Sequence, residues 1–260
     1  MDPDELAKAR ESYIYVPGRL LPAEREQPDL EWFGLRLVGD IPEAGWNSAE
    51  KRSSFASRAL DAFHTGLFSD IGNEASLLHG LASTVFWGYA SGTDGRLRPE
   101  RALAKVNMLR DGRRGKKVAG PQEHDKLIGY LKEGVKQARE GKFEEALLAL
   151  MQIKFLGMSF ASKVAMFANP SGAAVYDAVI SDRLMSSSDP ALKALAIGTG
   201  VSVGTARQAA IYAKWCAYCG DRAAALNSAS VRWRDWDGAR HEWRAVDVER
   251  AFFALGRGRA

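Results

Sequence analysis

The sequence predicts an all-α protein, a core of nine or ten helices with an extended arm in front of it. Three observations carry this. From about residue 46 onward, apolar residues recur at helical spacing in runs opened by capping residues and closed by glycine. One run, Asn73 to Ala90, is apolar around most of its circumference, as a central helix is. Residues 1–45, by contrast, hold Pro3, Pro17, Pro22, Pro28 and Pro42, with short alternations only at Tyr13–Val16 and Phe33–Val38. Such proline-broken pieces read as an extended arm lying against a domain, and residues 46–260 as the helical region itself.

Taken in order, Asn47 or Ser48 caps a first helix, with Phe55, Leu60 and Phe63 at helical spacing and a stop near Gly66. The Asn73–Ala90 helix ends in the turn-rich Ser91-Gly-Thr-Asp-Gly95. Pro99 opens a helix to Leu109, and Gly112 to Lys117 reads as a flexible tail. Another helix runs from Pro121 to about Gly141, and the next from Phe143 to Ile153. Asp189 caps a helix with Pro190 in its first position, stopped by Gly198-Thr-Gly200. Thr205 to Tyr218 forms one more, ended by Gly220, and Val246 to Leu255 the last.

The chain has 260 residues, 46% hydrophobic and 26% charged, enough for one sizeable core or two closely packed ones. No apolar run approaches the ~20 residues that span a bilayer, and Met1-Asp-Pro-Asp-Glu5 lacks the basic and apolar regions of a signal peptide. A cytoplasmic monomer without a membrane partner is expected. Cys216 and Cys219 stand alone in Cys-Ala-Tyr-Cys, and His64, His79, His124 and His241 show no ligand spacing. Buried thiols and no metal site follow.

The net charge is only +4, but its distribution is uneven. Arg96, Arg98, Arg101, Lys105, Arg110, Arg113, Arg114, Lys116 and Lys117 stand against Glu100 and Asp111, a local +7 that leaves −3 elsewhere. That concentration suits a polyanion, because each cation near a phosphate releases condensed counterions; it also suits a solvated loop.

Met151 to Pro170, followed by Val175-Tyr-Asp-Ala-Val-Ile-Ser-Asp-Arg183, reads as a helix, a tight turn, a second helix and an acidic residue at the start of a third. An interior helical hairpin with a solvent-facing aspartate has the same pattern. Gly157-Met-Ser159 lets the backbone turn tightly and approach a ligand. With the second helix starting near Ser159, the amides of Ser159, Phe160 and Ala161 are expected to be unpaired at the positive end of its dipole, which suits a phosphate.

The run Phe155-Leu-Gly-Met-Ser-Phe-Ala-Ser-Lys-Val-Ala-Met-Phe167, the loop Asn169-Pro-Ser-Gly-Ala-Ala174 and Asp177 in Val-Tyr-Asp-Ala-Val resemble the helix-hairpin-helix (HhH-GPD) superfamily of base-excision DNA glycosylases. The resemblance covers a hairpin at 143–169 and an aspartate segment at 170–185, with weaker support from Trp243 to Phe253 and none from 1–45. It implies a two-lobed glycosylase-like fold, double-stranded DNA as partner and Asp177 as the catalytic residue. DNA contacts would come from Gly157, Ser159, Phe160, Ala161, Ser162 and Lys163 of the hairpin, and the basic segment adds Arg113, Arg114, Lys116 and Lys117 by its charge. No cofactor is implied, beyond an alkali-metal ion that such a hairpin can hold.

Two departures refine this. Members that also cut the strand place a lysine two residues after the second small residue of the turn; Ala161 stands there. Lys163, two residues further on, is about 200° around a helix at ~100° per residue and is expected to point away. Ser159 also replaces the usual glycine. The resemblance therefore implies a monofunctional enzyme that removes a damaged or modified base, in repair or in defence against modified phage DNA, and leaves an abasic site without lyase activity. A carboxylate near the sugar stabilises the oxocarbenium-like state and orients water, and Asp177 also stands where a helix N-cap stands.

Trp87, Tyr89 and Tyr176 are the candidates for a flipped-base pocket, with Phe86 and Phe160 beside them, and each also suits core packing. Trp233 and Trp236, interleaved with Arg232 and Arg234, suit a base stack or a packed tail. Asp182-Arg183 suits a local salt bridge or an arginine reaching phosphate. Two other classes stay open, a non-catalytic helix-hairpin-helix DNA-binding module and a helical protein-interaction domain.

Overall fold

The computed structural model describes residues 2–14, 16–24, 26–41, 46–47, 52–53, 56–90, 97–114, 116–198 and 203–257, with 46, 47, 52, 53, 114 and 257 described by their backbone alone. Among these the protein is mostly helical, with eleven helices, a three-stranded antiparallel sheet and three short strand pairs. No described helix is long and apolar enough to cross a membrane.

The described residues up to Ile41 depart from the expected arm. Asp2 caps α1 (Pro3–Glu11), accepting from the Asp4 amide, and proline takes the first helical position, where its missing N–H costs nothing. Leu6, Ala9 and Arg10 are buried, so the segment contributes to the core. Proline at a helix start has the same sequence signature as proline that breaks one, which is why this helix looks extended in the sequence. Then β1 (Arg19–Pro22), β2 (Leu30–Trp32) and β3 (Leu35–Asp40) pair in the order β1-β3-β2. Phe33 and Gly34, both at positive φ (49° and 81°), make the two-residue turn between β2 and β3.

The expected first helix also starts later. Trp46–Asn47 (β4) pairs with Arg52–Ser53 (β5), and the helix is α2 (Ser57–Leu67). Ser48 and Phe55 lie outside the described residues. Asn73 caps α3 (Glu74–Tyr89) through the Ser76 amide, and Leu77 through Trp87 are all buried, as a helix apolar all round requires. Proline opens α4 (Pro99–Asp111).

Gly112 ends α4 at φ 60°, and a Cβ there would lie 1.6 Å from the Gly120 carbonyl oxygen. The expected flexible tail is instead a hairpin, β6 (Arg113–Arg114) against β7 (Lys117–Val118), closed by the Ala119 amide on the Gly112 carbonyl. α5 (His124–Arg139) and α6 (Phe143–Leu150) follow, α5 beginning three residues after Pro121. α7 (Met158–Ala168) packs against α3, and α8 (Ala178–Met185) and the short α9 (Pro190–Lys193) come next.

α10 (Thr205–Ser228) runs straight through Gly220, where the sequence suggests a stop. Its buried stripe of Tyr212, Cys216, Cys219, Ala223 and Leu226 continues past the glycine, and tertiary burial outweighs the ~1 kcal/mol helix cost of one glycine. Both cysteines are buried free thiols. A strand pair, β8 (Trp233–Arg234) with β9 (Arg240–His241), leads to α11 (Ala245–Arg257).

Charge as well as apolar surface joins the two ends of the chain. Arg10 of α1 donates to Asp247 of α11 at 3.1 and 3.0 Å, Arg250 donates to both oxygens of Asp61 on α2 at 2.9 and 2.6 Å, and Arg244 bridges Asp61 and Asp247. Burial alone would raise these carboxyls, but Arg250 and Arg244 at Asp61, and Arg244 and Arg10 at Asp247, outweigh it and hold both below the usual range. The Arg10 guanidinium lies 3.7 Å from the centre of the Trp233 ring, which is fully buried, so Trp233 is a core residue.

Candidate active site

The hairpin and the aspartate segment meet at one place. Asp177 caps α8, its Oδ1 accepting from the Ile180 amide at 3.1 Å. Its other oxygen faces Lys163, with Nζ to Oδ2 at 3.9 Å. The Lys163 amine also donates to the Ser159 carbonyl at 3.2 Å and to Ser159 Oγ at 3.1 Å. Lys163 therefore points toward the aspartate, contrary to the expectation from its angular offset. Ala161, at the position expected to matter, is fully buried. A rotation counted from the turn fixes only where the Cβ leaves the helix, and the long lysine stem brings the amine back one turn to Ser159.

The amides also differ from expectation. α7 begins at Met158, and the amides of Phe160 and Ala161 both donate to the Gly157 carbonyl at 3.0 Å. Those of Met158 and Ser159 have no acceptor among the described residues, so Ser159 is an anion-facing donor as expected, Met158 joins it, and Phe160 and Ala161 do not. Gly157 sits at φ −73°, and a Cβ there would meet nothing within 4 Å. Neither backbone nor packing demands a glycine; the open space above it lets a ligand come close. The left-handed residue of the turn is Phe155, at φ 62°.

Met158, Ser159, Tyr176, Asp177, Ile197 and Gln208 line a cavity of about 230 Å³ beside the amine and carboxylate. Tyr176 is fixed there: its hydroxyl donates to the Leu195 carbonyl at 2.6 Å and accepts from the Ile197 amide at 3.0 Å. Ser162, fully buried, accepts from the Tyr176 amide at 3.0 Å, tying α7 to the aspartate segment. Ile197 and Gln208 come from chain beyond the hairpin, and no sequence signal singles them out.

On the other side of Lys163 the aromatic residues form a stack. The Phe160 ring lies 5.1 Å from the Lys163 amine and stacks on Tyr89 at 4.7 Å, 18° from parallel. Gly88 makes room, since a Cβ there would sit 2.6 Å from the Phe160 ring. Lys105 and Arg101 of α4 reach the Tyr89 ring at 5.4 and 5.9 Å. Their i, i+4 spacing puts them on one helix face, a signal within the basic segment that could have joined them to Tyr89. Trp87 is instead largely buried, edge-on to Phe167 at 5.1 Å. Arg113, Lys116 and Lys117 are exposed on the β6–β7 hairpin, and the Arg114 side chain lies outside the described residues.

Behind the site, Glu249 of α11 is 2% exposed and its side chain makes no hydrogen bond or ion pair among the described residues. Burial, and then the Asp177 carboxylate, push its carboxyl up to about 8, against the pull of Arg250 and Lys163. Nothing in the sequence distinguishes it from a surface glutamate. The hairpin carbonyls of Ile153, Lys154 and Gly157 already accept from Leu156, from Gln122 and from Phe160 and Ala161, so an alkali-metal ion there would share their lone pairs. Elsewhere, Asp235, Asp237 and His241 bring one possible ligand atom each within 4.8 Å of one another. Asp235 is already committed to Ser57, Arg58 and Trp236, and Asp237 to the Ala239 amide, as in a hydrogen-bonded turn.

Comparison with known protein families, with curated proteins and with solved structures finds no match.

Proposed function

We propose that the protein is a DNA N-glycosylase of the helix-hairpin-helix class, two-lobed in architecture, which removes a damaged or modified base from double-stranded DNA and leaves an abasic site. The observation that carries this is the placement of Asp177, which lines a cavity with one oxygen capping α8 and the other 3.9 Å from the Lys163 amine. As the bond between base and sugar breaks, positive charge develops at C1′. The free oxygen of Asp177 stabilises that charge and takes a proton from the attacking water, whose oxygen bonds to C1′ while the base departs. The unpaired Met158 and Ser159 amides, under the open space at Gly157, suit a backbone phosphate. Lys105, Arg101 and the Tyr89–Phe160 stack extend the same surface with cations and π-faces, which suit DNA and a displaced base.

In this reading the Lys163 amine is an electrostatic partner, because it is engaged as a donor by Ser159. Its nearness to Asp177 favours a second reading, in which the carboxylate takes a proton from Lys163, the amine bonds to C1′ as the base departs, and the Schiff base that follows allows the strand to be cut. The test is a panel of oxidised, alkylated, mismatched and phage-modified duplexes, scored for free base and for nicks before and after alkali. Free base with nicks only after alkali is expected. A borohydride-trapped complex that disappears in Lys163→Ala would replace the first reading with the second.

A further inference from the structure

A cavity of about 430 Å³ opens where α1 meets α8 and α11, within the ~300–1,000 Å³ of small-molecule sites. Glu5, Lys8 and Ala9 of α1, Arg183 of α8, and Ala254 and Leu255 of α11 contribute to its lining. Three charged side chains share this space, yet none of them makes an ion pair among the described residues. Arg183 Nε is buried and has no hydrogen-bond partner among the described residues. Asp182, its sequence neighbour, is exposed and does not pair with it, which removes the local salt bridge as an explanation of this arginine.

The walls are fixed before any ligand arrives. Ala9 adjoins Arg10, which is locked to Asp247 at 3.0 Å. Gly256, next to Leu255, lets α11 approach α8 so closely that an added Cβ would lie 3.0 Å from Val179 and 3.6 Å from the Arg183 Cβ. A planar guanidinium without a partner among the described residues, lining one cavity with a lysine, is an arrangement that suits phosphoryl oxygens. Ala9, Ala254 and Leu255 supply apolar surface next to it, and Glu5 supplies an acceptor.

We propose that this cavity binds a phosphate monoester on a small organic body, its phosphoryl oxygens on Arg183 and Lys8, its body on Ala254 and Leu255, and a hydroxyl or amine on Glu5. The site stands apart from the proposed base-removal site and does not depend on that reading. A free mononucleotide and the 5′-phosphorylated end of a DNA strand present the same chemistry.

Calorimetric titration of the full chain compares dAMP with deoxyadenosine, and a 5′-phosphorylated short strand with its 5′-hydroxyl counterpart. In at least one pair the phosphorylated member binds tighter by about tenfold or more, the scale of one charge-assisted bidentate contact. Arg183→Gln abolishes that difference and Arg183→Lys keeps part of it, both with an unchanged unfolding midpoint. The pair that discriminates identifies the source. Equal affinities within both pairs, or discrimination that persists in Arg183→Gln, would overturn the proposal.

Discussion

Asp247 and Asp177 are both aspartates beside basic side chains, but their surroundings differ. Asp247 is fully buried and takes donors from Arg10, Arg58 and Arg244 and from the Arg244 amide. Asp177 keeps 19% of its side chain exposed, uses one oxygen as a helix cap, and leaves the other 3.9 Å from an amine. A saturated carboxylate holds chain ends together and has no lone pair left for a substrate. A half-satisfied one at a cavity has both access and capacity. The contrast separates charges that build the fold from charges available for chemistry, although the residue types are the same.

The largest effect should come from breaking the saturated group. Asp247→Ala leaves Arg10 buried without its carboxylate and Arg244 with Asp61 alone, and should cost about 3–5 kcal/mol of stability, read from the denaturation midpoint at constant m-value. A loss under about 1 kcal/mol would mean that the network is not what joins the chain ends.

Next comes Glu249, the buried carboxyl that belongs to neither group. Its ordinary value is 4.5 and burial beside Asp177 takes it up to about 8. Between those values the unfolded chain releases a proton that the folded chain keeps, so stability falls as pH rises through the window and levels off above it. His64 acts on the acid side. Burial pushes it from 6.5 down to about 4, so stability is lost as pH drops through that interval. Above 6.5 only Glu249 contributes to this pair of effects, and Glu249→Gln should flatten the decline from 6.5 to 8 and stabilise the protein near pH 8 by a few kcal/mol. Unchanged slope in thermal melts across that range would show that Glu249 is not buried as a neutral acid.

Most of the helical framework was legible in the sequence, for physical reasons that also explain the misses. Asn73, Pro99 and Asp189 announce helix starts because capping is local chemistry, and α3 announces its central position because every face is apolar. α10 continued past Gly220 and residues 46–47 formed a strand because tertiary packing and pairing, not propensity, decide there. The candidate site was legible as a pair of segments, with Asp177 and the Gly157 turn standing out. Its geometry was not: the direction of Lys163 depends on a side-chain rotamer, and Glu249, Ile197 and Gln208 arrive from distant chain.

A smaller effect tests the surface around Tyr89. If Lys105 and Arg101 face DNA phosphates, Lys105→Gln and Arg101→Gln should each weaken duplex binding across sequences and lower the slope of log K against log salt by about 1. Unaltered slopes would return these two residues to a solvated helix face.

The central claim is that Asp177 is free for chemistry because the fold needs only its capping oxygen. Asparagine caps a helix about as well as aspartate, so Asp177→Asn should keep wild-type stability to within roughly 0.5–1 kcal/mol. Release of free base from a duplex that the wild-type protein processes, measured under single-turnover conditions, tests this most directly. The account predicts a drop of about 10²–10⁴-fold in Asp177→Asn with DNA binding retained; equal rates in the two proteins would contradict it.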